Sequence, residues 1–169
     1  MDNTKEYINT AKTKTMQEFN EAYKFPFLVQ VTEVTNEPAV KTDVTINAKV
    51  EDVLKEYKGM QIKKIIPLLK TKRNFISDII IVGRAPSQDI VIDHAQISKT
   101  HAYFKTKDKI NYVVCDNGST NGTSINGQKI APSKEIEIKN NDVIGFGTIF
   151  FRFFTSDSAY YTFKIFGRI

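Results

Sequence analysis

The chain carries the run Asn117-Gly118-Ser119-Thr120-Asn121-Gly122-Thr123-Ser124-Ile125-Asn126-Gly127. Its small polar residues and glycines are turn formers, and Asn126-Gly127 is a strong hairpin signal because a type I′ turn needs positive φ at both central positions. Around this run, short apolar segments separated by turn chemistry every eight to twelve residues fill the chain after Gly59, as in a β-sandwich. Strands are expected at Ile62 to Leu69, Ile79 to Gly83, Ile90 to Ile92, Ala102 to Lys105, Tyr112 to Cys115, Ser124 to Asn126, Lys129 and Ile130, Glu135 to Ile138, Asp142 to Gly145 and Ile149 to Phe154. Asn140-Asn141 is a weaker turn signal.

The flanks read differently. Tyr7, Ile8, Ala11, Met16, Phe19, Ala22 and Tyr23 recur at largely helical spacing, which predicts one amphipathic helix from Thr4 to Tyr23, stopped by Phe25-Pro26. Phe27 to Val34 alternates and is rich in β-branched residues, so it reads as a strand. Val50, Val53, Leu54 and Tyr57, followed by Gly59, predict a short helix over 50–58. Ser156-Asp157 are good N-cap residues ahead of Tyr160, Tyr161 and Phe163, and predict a short terminal helix. The expected organisation is an extension over 1–60 packed on the sandwich, a sandwich over 61–155 and a helical segment over 156–169. The apolar stripe of the first helix has a second use open to it, the binding of a partner.

A hydrophobic content of 41% in 169 residues is enough for a real core. The single cysteine, Cys115, forms no internal disulfide, residues 1–24 lack the layout of a secretory signal, and no apolar run approaches the ~20 residues of a membrane helix. These features predict a cytoplasmic chain without membrane contact. The net charge of +5 is uneven: residues 61–82 carry five basic side chains and one acid, whereas the first 60 are slightly acidic. That balance suits an anionic partner. It also suits weak nucleic-acid contact, but no recognisable nucleic-acid motif is present and none is expected to bind. His94 and His101, with Asp93, Asp116 and Cys115, have no metal-ligand spacing, so neither metal nor other cofactor is expected. Ser98 and His101 lack a nucleophile elbow or oxyanion motif, and no catalysis is expected.

Gly83-Arg84, then Ser98-Lys99-Thr100-His101, then Asn121-Gly122 and Asn126-Gly127 form an ordered set. Over roughly residues 61 to 155 the chain resembles the forkhead-associated (FHA) domain, a phosphothreonine-recognition module. The resemblance implies an all-β sandwich of two antiparallel sheets and a non-enzymatic adaptor in Ser/Thr kinase-dependent signalling. Its partner would be a phosphothreonine-containing protein or peptide, among them a Ser/Thr kinase or its substrate. By resemblance Arg84 contacts the phosphate, where its planar fork makes two parallel bonds, and the Ser98 hydroxyl donates to a phosphate oxygen. Lys99 adds a cationic contact, and Thr120 and Asn121 hold the phosphate and the peptide main chain. Gly83 leaves room where a ligand backbone comes close, while Gly122, Asn126 and Gly127 serve turn geometry. His101 is architecture, buried and tying loops together. Gln96 and Lys99 are candidates for reading the third residue after the phosphothreonine.

Other readings stay open on the sequence: a phosphate-independent interaction scaffold, a basic nucleic-acid module and a small hydrolase. Thr10, Thr13 and Thr15 look like a flexible threonine cluster, a place where phosphorylation would let the chain bind itself or another copy.

Overall fold

The structure, a computed structural model, describes residues 3–31, 61–73, 75–76, 78–106, 108 and 110–166. The helix expected over 50–58 and the last three residues of the strand expected at Phe27 to Val34 lie outside these.

Two sheets stack face to face. One has six strands in the order β2 (Ile62–Pro67), β1 (Phe27–Val31), β11 (Ile149–Phe154), β10 (Val143–Phe146), β7 (Thr123–Ile125) and β8 (Gln128–Lys129). The other has five: β4 (Ile90–Val91), β3 (Ile79–Gly83), β5 (Ala102–Thr106), β6 (Tyr112–Asp116) and β9 (Glu135–Ile138). Pairing is antiparallel throughout except between β3 and β4, which run parallel. The core between the sheets holds Leu28, Val82, Phe104, Val114, Ile144, Phe146 and Phe151, each nearly inaccessible to water. Strand β1 comes from the segment read as an extension, yet it lies inside the six-stranded sheet, between β2 and β11.

Alternation along the strands splits the apolar residues between two cores. Leu28 faces the other sheet, whereas Phe27 and Val29 face the opposite side, where Phe27 sits across from Phe154. That outer face is covered by three helices: α1 (Thr4–Thr13), α2 (Met16–Ala22) and α3 (Ser156–Phe166). Tyr7 and Phe19 of the stripe are buried there, at 6% and 0% exposure, whereas Met16 and Ala22 stay at the surface. Phe19 packs against the rings of Tyr23, Phe27, Tyr160 and Phe163.

The single helix expected from Thr4 to Tyr23 is two. Lys14 and Thr15 are extended, and Thr15 restarts the helix with a capping box: its hydroxyl accepts from Glu18 N–H at 3.3 Å while its own N–H donates to the Glu18 carboxylate at 2.8 Å. The break lets Tyr7 and Phe19 reach the same ring, Phe27. Helix α3 is capped one residue earlier than expected, by Thr155, whose hydroxyl faces Ser158 N–H at 3.5 Å. Ser156 instead ties α3 to α2, with its Oγ 2.7 Å from both Asn20 Oδ1 and the Tyr23 carbonyl.

The β1–β2 ladder contains a bulge. Gln30 pairs with Lys64 and Val31 with Ile62, leaving Lys63 as the extra residue. This resets the alternation, so that Ile62 and Ile65 both face the helices despite their odd spacing. Leu68 N–H bonds to Pro26 O, and by alternation Ile65 and Pro67 turn their backbones away from β1. The outward N–H of Ile65 is taken by Thr4 Oγ1 at 2.9 Å, and Pro67 has none to offer. Among the described residues, no helix is long and apolar enough to cross a membrane.

Candidate functional site

Three loops meet beyond the ends of β3, β5 and β6. Gly83 closes β3 with its α-carbon against the backbone of the second loop, where a methyl group would lie 2.2 Å from Lys99 O. The space expected for a ligand backbone beside Gly83 is filled by the Lys99 carbonyl, and only glycine allows the crossing. The two loops are then stitched together by Arg84 N–H to Ser98 O at 2.9 Å and Ala85 N–H to Lys99 O at 3.2 Å.

These bonds set the side chains. Arg84 is exposed, and its Nε–H donates to Ile97 O at 3.2 Å. Among the described residues its terminal nitrogens have no acceptor, so the outer edge of the guanidinium faces solvent with parallel donors. Ser98 Oγ accepts from Thr120 N–H at 3.1 Å, and its own proton has only a long contact, 3.4 Å, to Thr120 Oγ1. Asn121 Nδ2 donates to Gln96 O at 2.8 Å, which fixes the amide plane and leaves Oδ1 toward solvent. The Lys99 side chain is exposed at the rim. Arg84, Ser98, Lys99, Thr120 and Asn121 therefore belong to one cluster, linked through Ile97, Gln96 and the Ser98–Thr120 contact.

His101 lies beneath them, fully buried. Its Nδ1 accepts from Ser98 N–H at 3.1 Å, so Nε2 carries the proton and donates to Gly122 O at 3.2 Å. Burial holds the imidazole below its ordinary pKa, against the opposing pull of the Gly122 bond and of Asp116. It is neutral, and both ring nitrogens are engaged. Gly122 O accepts a second bond, from Gly147 N–H at 2.9 Å.

Asp116 is the residue that sequence reasoning missed. It is 1% exposed and accepts Ser119 N–H at 2.9 Å, Ser119 Oγ–H at 2.6 Å and Thr123 Oγ–H at 2.6 Å. Burial alone would raise its pKa; the bonds from Ser119 and Thr123, with His101 nearby, bring it below the ordinary carboxylate value. Ser119 passes the constraint on through its hydroxyl, which accepts Gly122 N–H at 3.0 Å. The signal was present, since an aspartate three residues before a serine in a Gly-rich turn is a loop-capping arrangement. Asn126 and Gly127 sit farther along, with φ of 50° and 79° in the two-residue turn joining β7 to β8. The positive φ of Asn126 keeps it out of the ladder, so β7 begins one residue before the expected Ser124 to Asn126, and β8 is likewise displaced to Gln128–Lys129. Asn126 secures this hairpin to β10 by accepting Val143 N–H at 2.9 Å and donating to Asp142 at 2.8 Å.

Thr10, Thr13 and Thr15 are not in a flexible segment. Thr10 and Thr13 bond back to the carbonyls of Glu6 and Asn9, and Thr15 caps α2. Among the described residues, no group of three or more His, Cys, Asp or Glu is placed to hold a metal.

The arrangement defines a class: a two-sheet β-sandwich that presents an open guanidinium edge and a weakly held hydroxyl on interlocked loops. Residues 80–147 match the model of the FHA domain. Smad nuclear-interacting protein 1 of Mus musculus is 35% identical over 71 residues, covering 35% of this chain. The chain spans 18% of the length of that relative and of its Rattus norvegicus counterpart. Among solved structures, the FHA domain of the CT664 protein from Chlamydia trachomatis is 24% identical, over 76% of this chain and 96% of that one, with a TM-score of 0.47. An engineered FHA domain with a Myc-pTBD peptide is 22% identical, over 82% and 97%, with a TM-score of 0.49.

Proposed function

We propose that the loop cluster binds phosphothreonine in a partner protein, and that the chain acts as a non-catalytic adaptor in a Ser/Thr kinase-dependent pathway. The observation that carries this reading is the open guanidinium edge of Arg84 beside the loosely held proton of Ser98. A phosphate monoester brings about −1.5 to −2 charges and three acceptor oxygens, and it needs donors rather than bases. Arg84 supplies a bidentate fork, Ser98 a hydroxyl, and Lys99 a further cation at the rim. Thr120 positions Ser98 through its N–H, and Asn121 offers its free Oδ1 to the N–H of an extended peptide. His101 has no lone pair or proton to spare, which favours recognition over chemistry. The FHA match over residues 80–147 supports the same reading.

The test is capture from a degenerate phosphothreonine peptide library, with phosphoserine and unphosphorylated libraries as controls. Selective enrichment is expected for phosphothreonine, with affinity reduced by ~2–5 kcal/mol in Arg84→Ala. The variant's folded-state spectrum should be unchanged, because the backbone of Arg84, not its guanidinium, anchors the loop to Ser98. Partner binding that survives both phosphatase treatment and Arg84→Ala would replace this reading with a phosphate-independent scaffold.

A further inference from the structure

We infer that the groove between the open edges of the two sheets is a second docking site, for an unphosphorylated partner segment that combines acidic and aliphatic side chains. The groove encloses ≈ 470 Å³ between β2 and β4, away from the phosphate-binding cluster. Ile66 and Ile90, buried in the core between the sheets, underlie it, Pro67 and Val91 are half-buried along it, and Leu69 at the lip is 40% exposed. Lys64 and Arg73 line it, and neither has an acidic partner among the described residues. Lys63 and Lys72 add positive charge on the same two segments.

The groove also contains an acid, Asp89, but its charge is already matched. Its carboxylate is fully buried and takes Lys70 Nζ at 3.0 Å, Thr71 N–H at 2.7 Å, Thr71 Oγ–H at 2.8 Å and Ile81 N–H at 2.9 Å. What faces outward is an aliphatic trough with a cationic rim, complementary to carboxylates set beside Leu, Ile or Val.

The mode of binding follows from the edge. Strand addition to β2 is blocked, since Thr4 occupies the Ile65 N–H and Pro67 lacks one. A partner has to be read through its side chains, not through a backbone ladder. A floor of branched aliphatics offers no flat ring for base stacking, which favours a peptide over a single-stranded nucleic acid.

The experiment is selection from a random unphosphorylated peptide library on the full chain, then binding of the enriched peptides to three proteins: the unaltered chain, Lys64→Glu/Arg73→Glu, and Arg84→Ala. Enriched sequences should pair Asp or Glu with Leu, Ile or Val, bind on the order of tenfold more weakly to the double variant, and bind equally to Arg84→Ala. Titration should move the backbone amide resonances of Ile65, Ile90 and Val91, a readout that needs no variant. An absence of enrichment, peptides indifferent to the double variant, or unmoved resonances would each overturn the inference. So would a single-stranded oligouridine that shifts the same resonances and outcompetes the peptides. Because Arg84→Ala leaves this site whole, failure here and failure of the phosphothreonine reading are separable.

Discussion

The loop cluster and the helix-covered face of the six-stranded sheet are held by different forces, and the contrast explains why one of them is suited to binding. The loops contain few large side chains; they keep their shape through directional bonds from Asp116, His101, Ser98 and Asn121. Each such bond contributes a net ~0.5–1.5 kcal/mol but fixes an angle as well as a distance. The helical face is the reverse. Tyr7, Phe19, Tyr23, Phe27 and Phe163 meet ring to ring with centroids 4.9–6.3 Å apart, and burial of one such ring is worth ~1.5–3 kcal/mol. Apolar area stabilises that face without presenting donors; the loops present donors at the cost of depending on every bond.

The largest expected effect is on the apolar side of this comparison. Phe19→Ala should lower stability by ~3–5 kcal/mol in urea unfolding, because four rings lose their common neighbour. Phosphopeptide affinity of the protein that remains folded should be unchanged; a matching loss of affinity would mean that the two regions are coupled. Asp116→Asn should cost ~1–3 kcal/mol, with hydrogen exchange accelerated at Ser119 and Gly122 and unchanged in α1 and α2. Protection that fell evenly across both regions would erase the distinction.

Acid should separate the regions without any mutation. His101 has a lowered pKa in the folded state, so the unfolded chain binds the extra proton first as pH falls through about 6.5. Stability drops from there until the folded value is reached, after which this loss is constant. Asp116 and Asp89 are also lowered, so their contribution is present above the unfolded carboxylate value, near 3.9, and is lost as pH falls through their folded values. Melting temperature should therefore decline in two steps, and His101→Gln should abolish the first. The smallest effect belongs to Thr15→Ala: loss of the cap should cost ~1 kcal/mol, read as fraying of α2 by amide exchange.

Much of the sandwich was legible because strand periodicity and turn chemistry are local. Asn126-Gly127 marks its hairpin by the conformation those two residues tolerate, and Ile79 to Gly83 is a strand of the predicted extent. The helix break at Thr15 was legible too, in Thr15-Met16-Gln17-Glu18, but the apolar spacing on either side reads through it as one helix. Nonlocal facts were not available in the same way. No pattern in Phe27–Val31 says that it pairs with both β2 and β11, nor does any pattern in Gly83 say that Lys99 O crosses it. At the site, Arg84, Ser98 and Asn121 were found as a motif, whereas Asp116, which bears the loop's weight without facing a ligand, left only a turn signal.

Strand β1 completes a sheet that the family match covers only in part. The segment that matches the family, residues 80–147, leaves out β1, β2 and β11, which are three adjacent strands of the six-stranded sheet. A fragment trimmed to that match would keep Arg84, Ser98, Lys99, Thr120 and Asn121 and expose the sandwich-facing side chains that Leu28, Phe151 and Phe153 now cover. The matched stretch carries the loop cluster; the six-stranded sheet behind it draws three of its strands from outside that stretch. A transplant of the loops into another host would succeed only with a sheet behind them that supplies what those three strands supply here.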